Sequence, residues 1–194
     1  MPYGLRGAKL VMNLDWSILH WIQNTLSCPF LDALMPRLTA LGDGGMIWLL
    51  AAGGLICTKK YRRHGFLLLG GLAAGVLAGN VFLKNLFARP RPCWLDQSVR
   101  LLIAPPTDYS FPSGHTLSSV IGATILTKAG RRFGCAAVPL AVFVVFSRLY
   151  LYVHFPSDIL GAAVLGVGIG VLTVRLGGRI LEKLEEICRS KSIR

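Results

Sequence analysis

Charge is what this chain has least of. Asp, Glu, Lys and Arg make up 15% of its 194 residues, against about 25% in a soluble domain. So few charges cannot cover a composition that is 53% hydrophobic before its 22 glycines are counted. The surplus apolar surface needs a bilayer. The same figures exclude a disordered chain, a collagen and a coiled coil. Metal and redox cysteine spacings are missing too. Cys28, Cys57, Cys93, Cys135 and Cys188 are scattered without a CxxC or CxH pattern, and five cysteines cannot all pair. Met1 to Trp16 lacks an apolar h-region and a small-residue cleavage site, so no cleaved signal peptide is expected.

What charge there is leans strongly positive, +12 from 21 Lys and Arg against nine Asp and Glu. These cations sit in short clusters between apolar runs and form no basic helical face, so nucleic acid is not the expected partner. In a membrane protein such clusters set topology and meet anionic headgroups. Gly65 to Leu83 carries no formal charge, nor do Gly44–Thr58, Phe133–Ser147 and Ile159–Val174, and Phe111–Thr127 is broken only by His115. Leu14–Met35 is weaker, with Asp15, His20, Pro29 and Asp32; it reads as a sixth span or as an interfacial helix anchored by Trp16 and Trp21. The expected fold is therefore an all-α integral membrane protein, a single domain over 1–194. Its preferred form is a six-helix transmembrane bundle with both termini cytoplasmic.

The positive-inside rule sets the orientation. Lys59, Lys60, Arg62 and Arg63, then Lys128, Arg131 and Arg132, then the tail after Val174 share one side if each run crosses once. Arg6 and Lys9 join them only if Leu14–Met35 crosses. The connection Lys84–Ser110, with Cys93, then lies outside. Gly71, Gly75 and Gly79, and Gly166 and Gly170, recur at every fourth position, the spacing that lets helix backbones approach in lipid.

Three clusters interrupt the apolar pattern, all on that outer side: Lys84 to Pro92, Pro112-Ser113-Gly114-His115, and Ser147-Arg148 to Asp158. Ionisable residues at span ends are functional candidates by default. A phosphoryl group in transfer needs positive donors already in place. Lys84, Arg91 and Arg148 are candidates, the arginines through bidentate forks. Ser113-Gly114 opens a helix whose free N–H groups favour an anion. His154 and Asp158 are four apart. Asp158 can hold one ring nitrogen of His154 while the other attacks phosphorus, and His115 can protonate the leaving oxygen and then activate water.

These clusters resemble the tripartite signature of the type 2 phosphatidic acid phosphatase superfamily: Lys-x6-Arg-Pro, Pro-Ser-Gly-His and Ser-Arg-x5-His-x3-Asp. Lys84 with Arg91-Pro92, Pro112 to His115, and Ser147-Arg148 with His154 and Asp158 match at every position, and Arg89 lies outside the pattern. The resemblance implies a phosphohistidine on His154, acid catalysis from His115, phosphate contacts from Lys84, Arg91, Ser113, Gly114 and Arg148, and no required metal or cofactor. It also implies a membrane lipid phosphate or pyrophosphate as substrate. Undecaprenyl pyrophosphate is the first choice, hydrolysed at the extracytoplasmic face; phosphatidylglycerophosphate or phosphatidic acid is the alternative. Vanadium haloperoxidases look similar at these motifs but are soluble and larger. A polytopic transporter of an anion would carry its charges within spans. A metal site of His115, His154 and Asp158 would be opposed by the neighbouring cations.

Overall fold

The computed structural model describes residues 3–180 and 183, with side chains from residue 10 onward; Arg6, Lys9, Cys188 and the last cations of the tail lie outside the described residues or side chains. The chain begins with α1 (Tyr3–Leu26) and α2 (Pro29–Leu41), the latter opened by Pro29, whose missing N–H costs nothing in a first turn. A tight turn, Asp43–Gly45, leads into α3 (Met46–Cys57). Gly44 and Gly45 have φ of 58° and 73°, a left-handed conformation that glycine adopts without a Cβ penalty. The two helices consequently meet at a 45° bend.

α4 (Arg62–Gly75) runs on through a π-helical stretch, Val76–Leu83, into α5 (Lys84–Phe87), and Ala88 in the left-handed region (φ 42°) ends the run. The single turn α6 (Pro92–Leu95) starts the outer connection. α7 (Gly114–Ala129) is capped by Ser113, whose hydroxyl accepts from the Thr116 N–H, one of the donors that a helix start leaves unpaired. Gly130 alone separates α7 from α8 (Arg131–Tyr150). α9 (Pro156–Leu172) opens on Pro156, and Asp158, at its third position, accepts from the Phe155 N–H.

Two apolar cores stack along the bundle. The inner one joins α3, α4, α7, α8 and α9 around Trp48, Leu68, Ile121 and Ile125. The glycine rows lie inside it, as their spacing predicts: a methyl added at Gly75 would stand 2.6 Å from Ile121 Cδ1, and one at Gly170 2.9 Å from Thr124 Cβ. The outer core joins α1, α2, the connection after Arg91 and the turn 149–155 around Leu19, Met35, Tyr150 and Phe155.

By length and composition, fewer helices than the expected six qualify as spans among the described residues. Among the described residues, three helices are long and apolar enough to cross a membrane, Arg62–Leu95, Arg131–Tyr150 and Pro156–Ile180, and the bent pair α2–α3 makes a fourth. The expected six are not all of this kind. α7 has only 16 residues, short of the roughly 20 that a full crossing takes. In α1, the polar residues that weakened Leu14–Met35 in sequence all find partners at one end of the bundle. Asp15 accepts from the Ser157 N–H (2.9 Å), His20 Nε2 lies 3.7 Å from Asp96, Gln23 donates to the Tyr150 carbonyl (2.7 Å), and Asp32 of α2 accepts from the Tyr150 hydroxyl (2.6 Å). Cys93, expected on an outer surface, is buried in the same layer.

Close packing at the inner core predicts opposite behaviour for two glycines. A methyl at Gly122 would stand 2.5 Å from the Trp48 ring, whereas one at Gly54 would meet nothing within 4 Å. Gly122→Ala should destabilise by about 1–3 kcal/mol through overpacking, and Gly54→Ala should be neutral or stabilising. Thermal unfolding of the two variants in one detergent measures the contrast.

Candidate active site

The three sequence clusters reach one place by three routes. The π-helical stretch delivers Lys84 at the outer end of the longest apolar run, and the extended Arg91 that follows turns back beside it. The start of α7 brings Gly114 and His115, and the end of α8 brings Arg148. The turn between α8 and α9 supplies His154. There Tyr152 is held at φ 60°, a strained value for a residue with a side chain, while its hydroxyl is tied to Asp96 at 2.8 Å.

Lys84, Arg91 and Arg148 are 6%, 2% and 4% exposed, so three cations are buried where a like-charged cluster is costly. Each is engaged differently. Lys84 pairs with Asp108. Arg91 Nη2 also donates to Asp108 Oδ1 (2.6 Å) and its Nε to the Asp108 carbonyl (2.7 Å), while Nη1 reaches the Val153 carbonyl (2.8 Å) and His154 Nε2 (2.9 Å). Arg148 donates to the Thr39 hydroxyl of α2, and its buried Nε has no hydrogen-bond partner among the described residues.

Those bonds assign the His154 tautomer. A guanidinium can only donate, so Nε2 is an acceptor and carries a lone pair, leaving the proton on Nδ1. Burial, then the Arg91 and Arg148 charges, hold this imidazole well below its ordinary pKa and therefore neutral. On the Nδ1 side the arrangement differs from the direct contact expected with Asp158. Asp158 Oδ2 is 3.7 Å away, and the Ser110 hydroxyl lies beside both, 2.6 Å from that oxygen and 3.4 Å from Nδ1. Because Pro156 starts a helix at this point, Asp158 points back to cap the Phe155 N–H, and this draws it from the ring. His115 Nε2 is 2.9 Å from Asp43 Oδ1, in the glycine turn before α3. Ser113 is fully buried, its Oγ accepting from the Thr116 N–H and hydroxyl.

A cavity of ≈ 820 Å³ joins these groups. Lys84, Arg91, Asp108, Gly114, His115, Arg148 and His154 line its polar end, and Leu49, Leu69, Leu72, Val76, Leu117 and Ile121 its apolar side. Ser113 and Asp158 stand behind this lining. Asp43, Asp108 and Ser110 were missed in sequence. Asp43 shows only as the polar member of Gly-Asp-Gly-Gly, and no spacing links it to a histidine 72 positions later.

A cationic pocket beside an uncharged, anchored histidine, with an apolar wall, fits the chemistry of a membrane phosphatase. The family model described as the PAP2 superfamily matches residues 64–181, and the chain belongs to that family. It is 31% identical over 162 residues to an undecaprenyl-diphosphatase of Sulfolobus acidocaldarius, covering 82% of this chain and 78% of the relative. It is 32% identical over 155 residues to a decaprenylphosphoryl-5-phosphoribose phosphatase of Mycobacterium tuberculosis, covering 77% and 82%. The fold is similar to the crystal structure of a transmembrane PAP2-type phosphatidylglycerolphosphate phosphatase from Bacillus subtilis, with a TM-score of 0.72, 26% identity and 88% of each chain covered.

Asp108 sits where an anion would meet Lys84 and Arg91. Burial raises its pKa, but the Lys84 and Arg91 contacts outweigh this and hold it at about 2. The folded value is depressed, so its stabilising contribution is complete above the ordinary carboxylate pKa and lost only as pH falls through about 2. At neutral pH it competes as a full negative charge. Asp108→Asn should therefore tighten inhibition by orthovanadate several-fold, measured as Ki at pH 7; a weaker Ki would show that Asp108 aids anion binding.

Proposed function

We propose that the chain hydrolyses a lipid phosphate through a phosphohistidine on His154. The observation that carries this reading is the lone pair on His154 Nε2, 2.9 Å from Arg91 Nη1 in a cavity with Lys84 and Arg148 at one end and an apolar wall at the other. Lys84, Arg91, Arg148 and the Gly114 N–H at the start of α7 bind the equatorial oxygens, and Ser113 shapes that helix start. The Nε2 lone pair attacks phosphorus. The N–P bond forms as the bond to the leaving oxygen breaks, and His115 donates the proton that oxygen takes up. Water then gives its proton back to His115 and attacks the phosphohistidine, so the N–P bond breaks and phosphate leaves. Asp43 orients His115, and Asp158 with Ser110 holds the Nδ1 side of His154. No step uses a metal or cofactor.

The apolar wall supports a lipid tail, since Leu49, Leu69 and Val76 have no purpose toward a soluble sugar phosphate. Two of the relatives are named for polyprenyl phosphates, which supports undecaprenyl pyrophosphate as the first substrate. The alternative, phosphatidylglycerophosphate or phosphatidic acid, is supported by the structural neighbour. The basic clusters at 59–63 and 128–132 support an extracytoplasmic position for the opposite, catalytic end. α1 rests on that outer end as an interfacial helix. This favours the interfacial-helix reading of Leu14–Met35 over a sixth span, with five passages and the N-terminal helix on the outer surface.

Purified protein in detergent, assayed in excess chelator against polyprenyl pyrophosphate and glycerol-based phosphates in matched micelles, tests the reading. Turnover should persist in chelator and favour the polyprenyl substrate. His154→Ala should abolish turnover and covalent phosphate labelling, and His115→Ala should cost at least ~10²-fold. Rescue by a divalent metal after chelation would end this mechanism.

Orientation has its own test. Cys28 is exposed beside Tyr150 at the catalytic end, and Cys57 is exposed next to Lys59 at the other. In single-cysteine versions, a membrane-impermeant thiol reagent added outside should label Cys28 and spare Cys57. The reverse pattern would put the site in the cytoplasm.

A further inference from the structure

Arg89 is the one cation of the Lys84–Pro92 cluster outside the matched pattern, and the structure gives it unusually specific partners. Nη1 donates to Asp158 Oδ1 (2.6 Å) and to the Ser157 hydroxyl (2.7 Å), and Nη2 donates to Asp15 Oδ2 (2.7 Å). Asp15 also accepts from the Ser157 N–H at 2.9 Å and from its hydroxyl. The guanidinium lies over the Phe155 ring at 4.3 Å. Both carboxylates are buried, at 2% and 0% exposure. One cation therefore divides its charge between a carboxylate on α1 and the carboxylate behind the reactive histidine.

We infer that Arg89 and Asp15 are positioning residues that set the charge on Asp158, and through it the proton affinity of His154. This rests on the proposed role of His154. Asp158 has three kinds of donor: Arg89 on Oδ1, and Ser110 and the Phe155 N–H on Oδ2. Among the described residues, only Arg89 brings a full charge. Removing it leaves His154 facing a less compensated carboxylate, which favours the imidazolium. Removing Asp15 does the opposite, because the whole guanidinium charge then falls on Asp158. The two substitutions therefore act in opposite directions, which loss of packing alone would not produce. The other charged groups around His154 are Lys84 of α5, Arg91 before α6, Asp108 of the outer connection, His115 of α7 and Arg148 of α8. They are the same in every variant.

The test is the protonation midpoint of His154, read by NMR on ¹⁵N-histidine-labelled full-length protein in detergent. The chain has four histidines, and His154→Gln identifies the signal. Arg89→Gln should raise the midpoint by about one pH unit, and Asp15→Asn should lower it by a similar amount, the scale of one unit charge acting through a partly buried contact. Arg89→Lys should restore the wild-type value. The acid limb of kcat/KM should move the same way in each variant, with KM nearly constant. Where Arg89→Gln does not fold, Asp15→Asn and Arg89→Lys decide the matter between them. Shifts of the same sign, or none, would overturn the inference. The lipid phosphatase reading fails separately, if the wild-type protein hydrolyses no lipid phosphate while the midpoints still move apart.

Discussion

Everything at the catalytic end follows from the need to keep three cations together in a place that disfavours even one. Lys84, Arg91 and Arg148 are all nearly inaccessible, and their mutual repulsion is poorly screened beside the apolar core. The protein answers with one carboxylate between two of the cations and with carbonyls and a hydroxyl around the cluster. Asp108 and its own carbonyl engage Lys84 and Arg91, Val153 offers a carbonyl, and Thr39 meets Arg148. A phosphate group carries the charge and the acceptor oxygens to satisfy the same donors. Preorganisation of this kind is what phosphoryl transfer demands, because its catalysis consists mostly of charge already in position.

Holding such a cluster needs an independent scaffold, and the second apolar core provides it. α1 packs on the turn that carries His154, and α2 joins it there before bending into α3. Their polar residues, a defect if these helices were buried in lipid, become the fastenings. Asp32 fixes the Tyr150 hydroxyl, Gln23 the Tyr150 carbonyl, and Asp15 the start of α9. The strained Tyr152 backbone persists because its ring lies among Trp16 and His20 and its hydroxyl is tied to Asp96. The bend at Gly44-Gly45 belongs to the same scheme, since it ends α2 beside His115 and lets α3 enter the inner core.

Asp43 beside His115, and Asp158 with Ser110 beside His154, separate the two histidines by their surroundings. One has a half-exposed carboxylate on its Nε2 and the other a guanidinium on its Nε2. The guanidinium on Nε2 leaves His154 presenting a lone pair, while His115 lies between the Asp43 carboxylate and the Arg148 charge.

The sequence by itself determined the class of molecule. Apolar runs with few charges demand a bilayer, glycine rows demand close helix packing, and three motifs of fixed internal spacing imply a phosphatase site at one end of the spans. Those features are local, and local spacing survives any folding path. Tertiary structure decided the rest. Whether Leu14–Met35 crosses the membrane depends on whether Asp15, His20 and Asp32 have partners, and those partners lie far along the chain. Of the companions of the motif residues, Asp43, Asp108 and Ser110 sit in turns and connections where no periodicity marks them, and Asp15 sits in α1, far from them in sequence. Arg89 reads as one more surface cation until α1 is folded over it. A hydrogen-bond partner is chosen by proximity in space, and only the packed bundle brings residues 15, 89 and 158 within reach of one another.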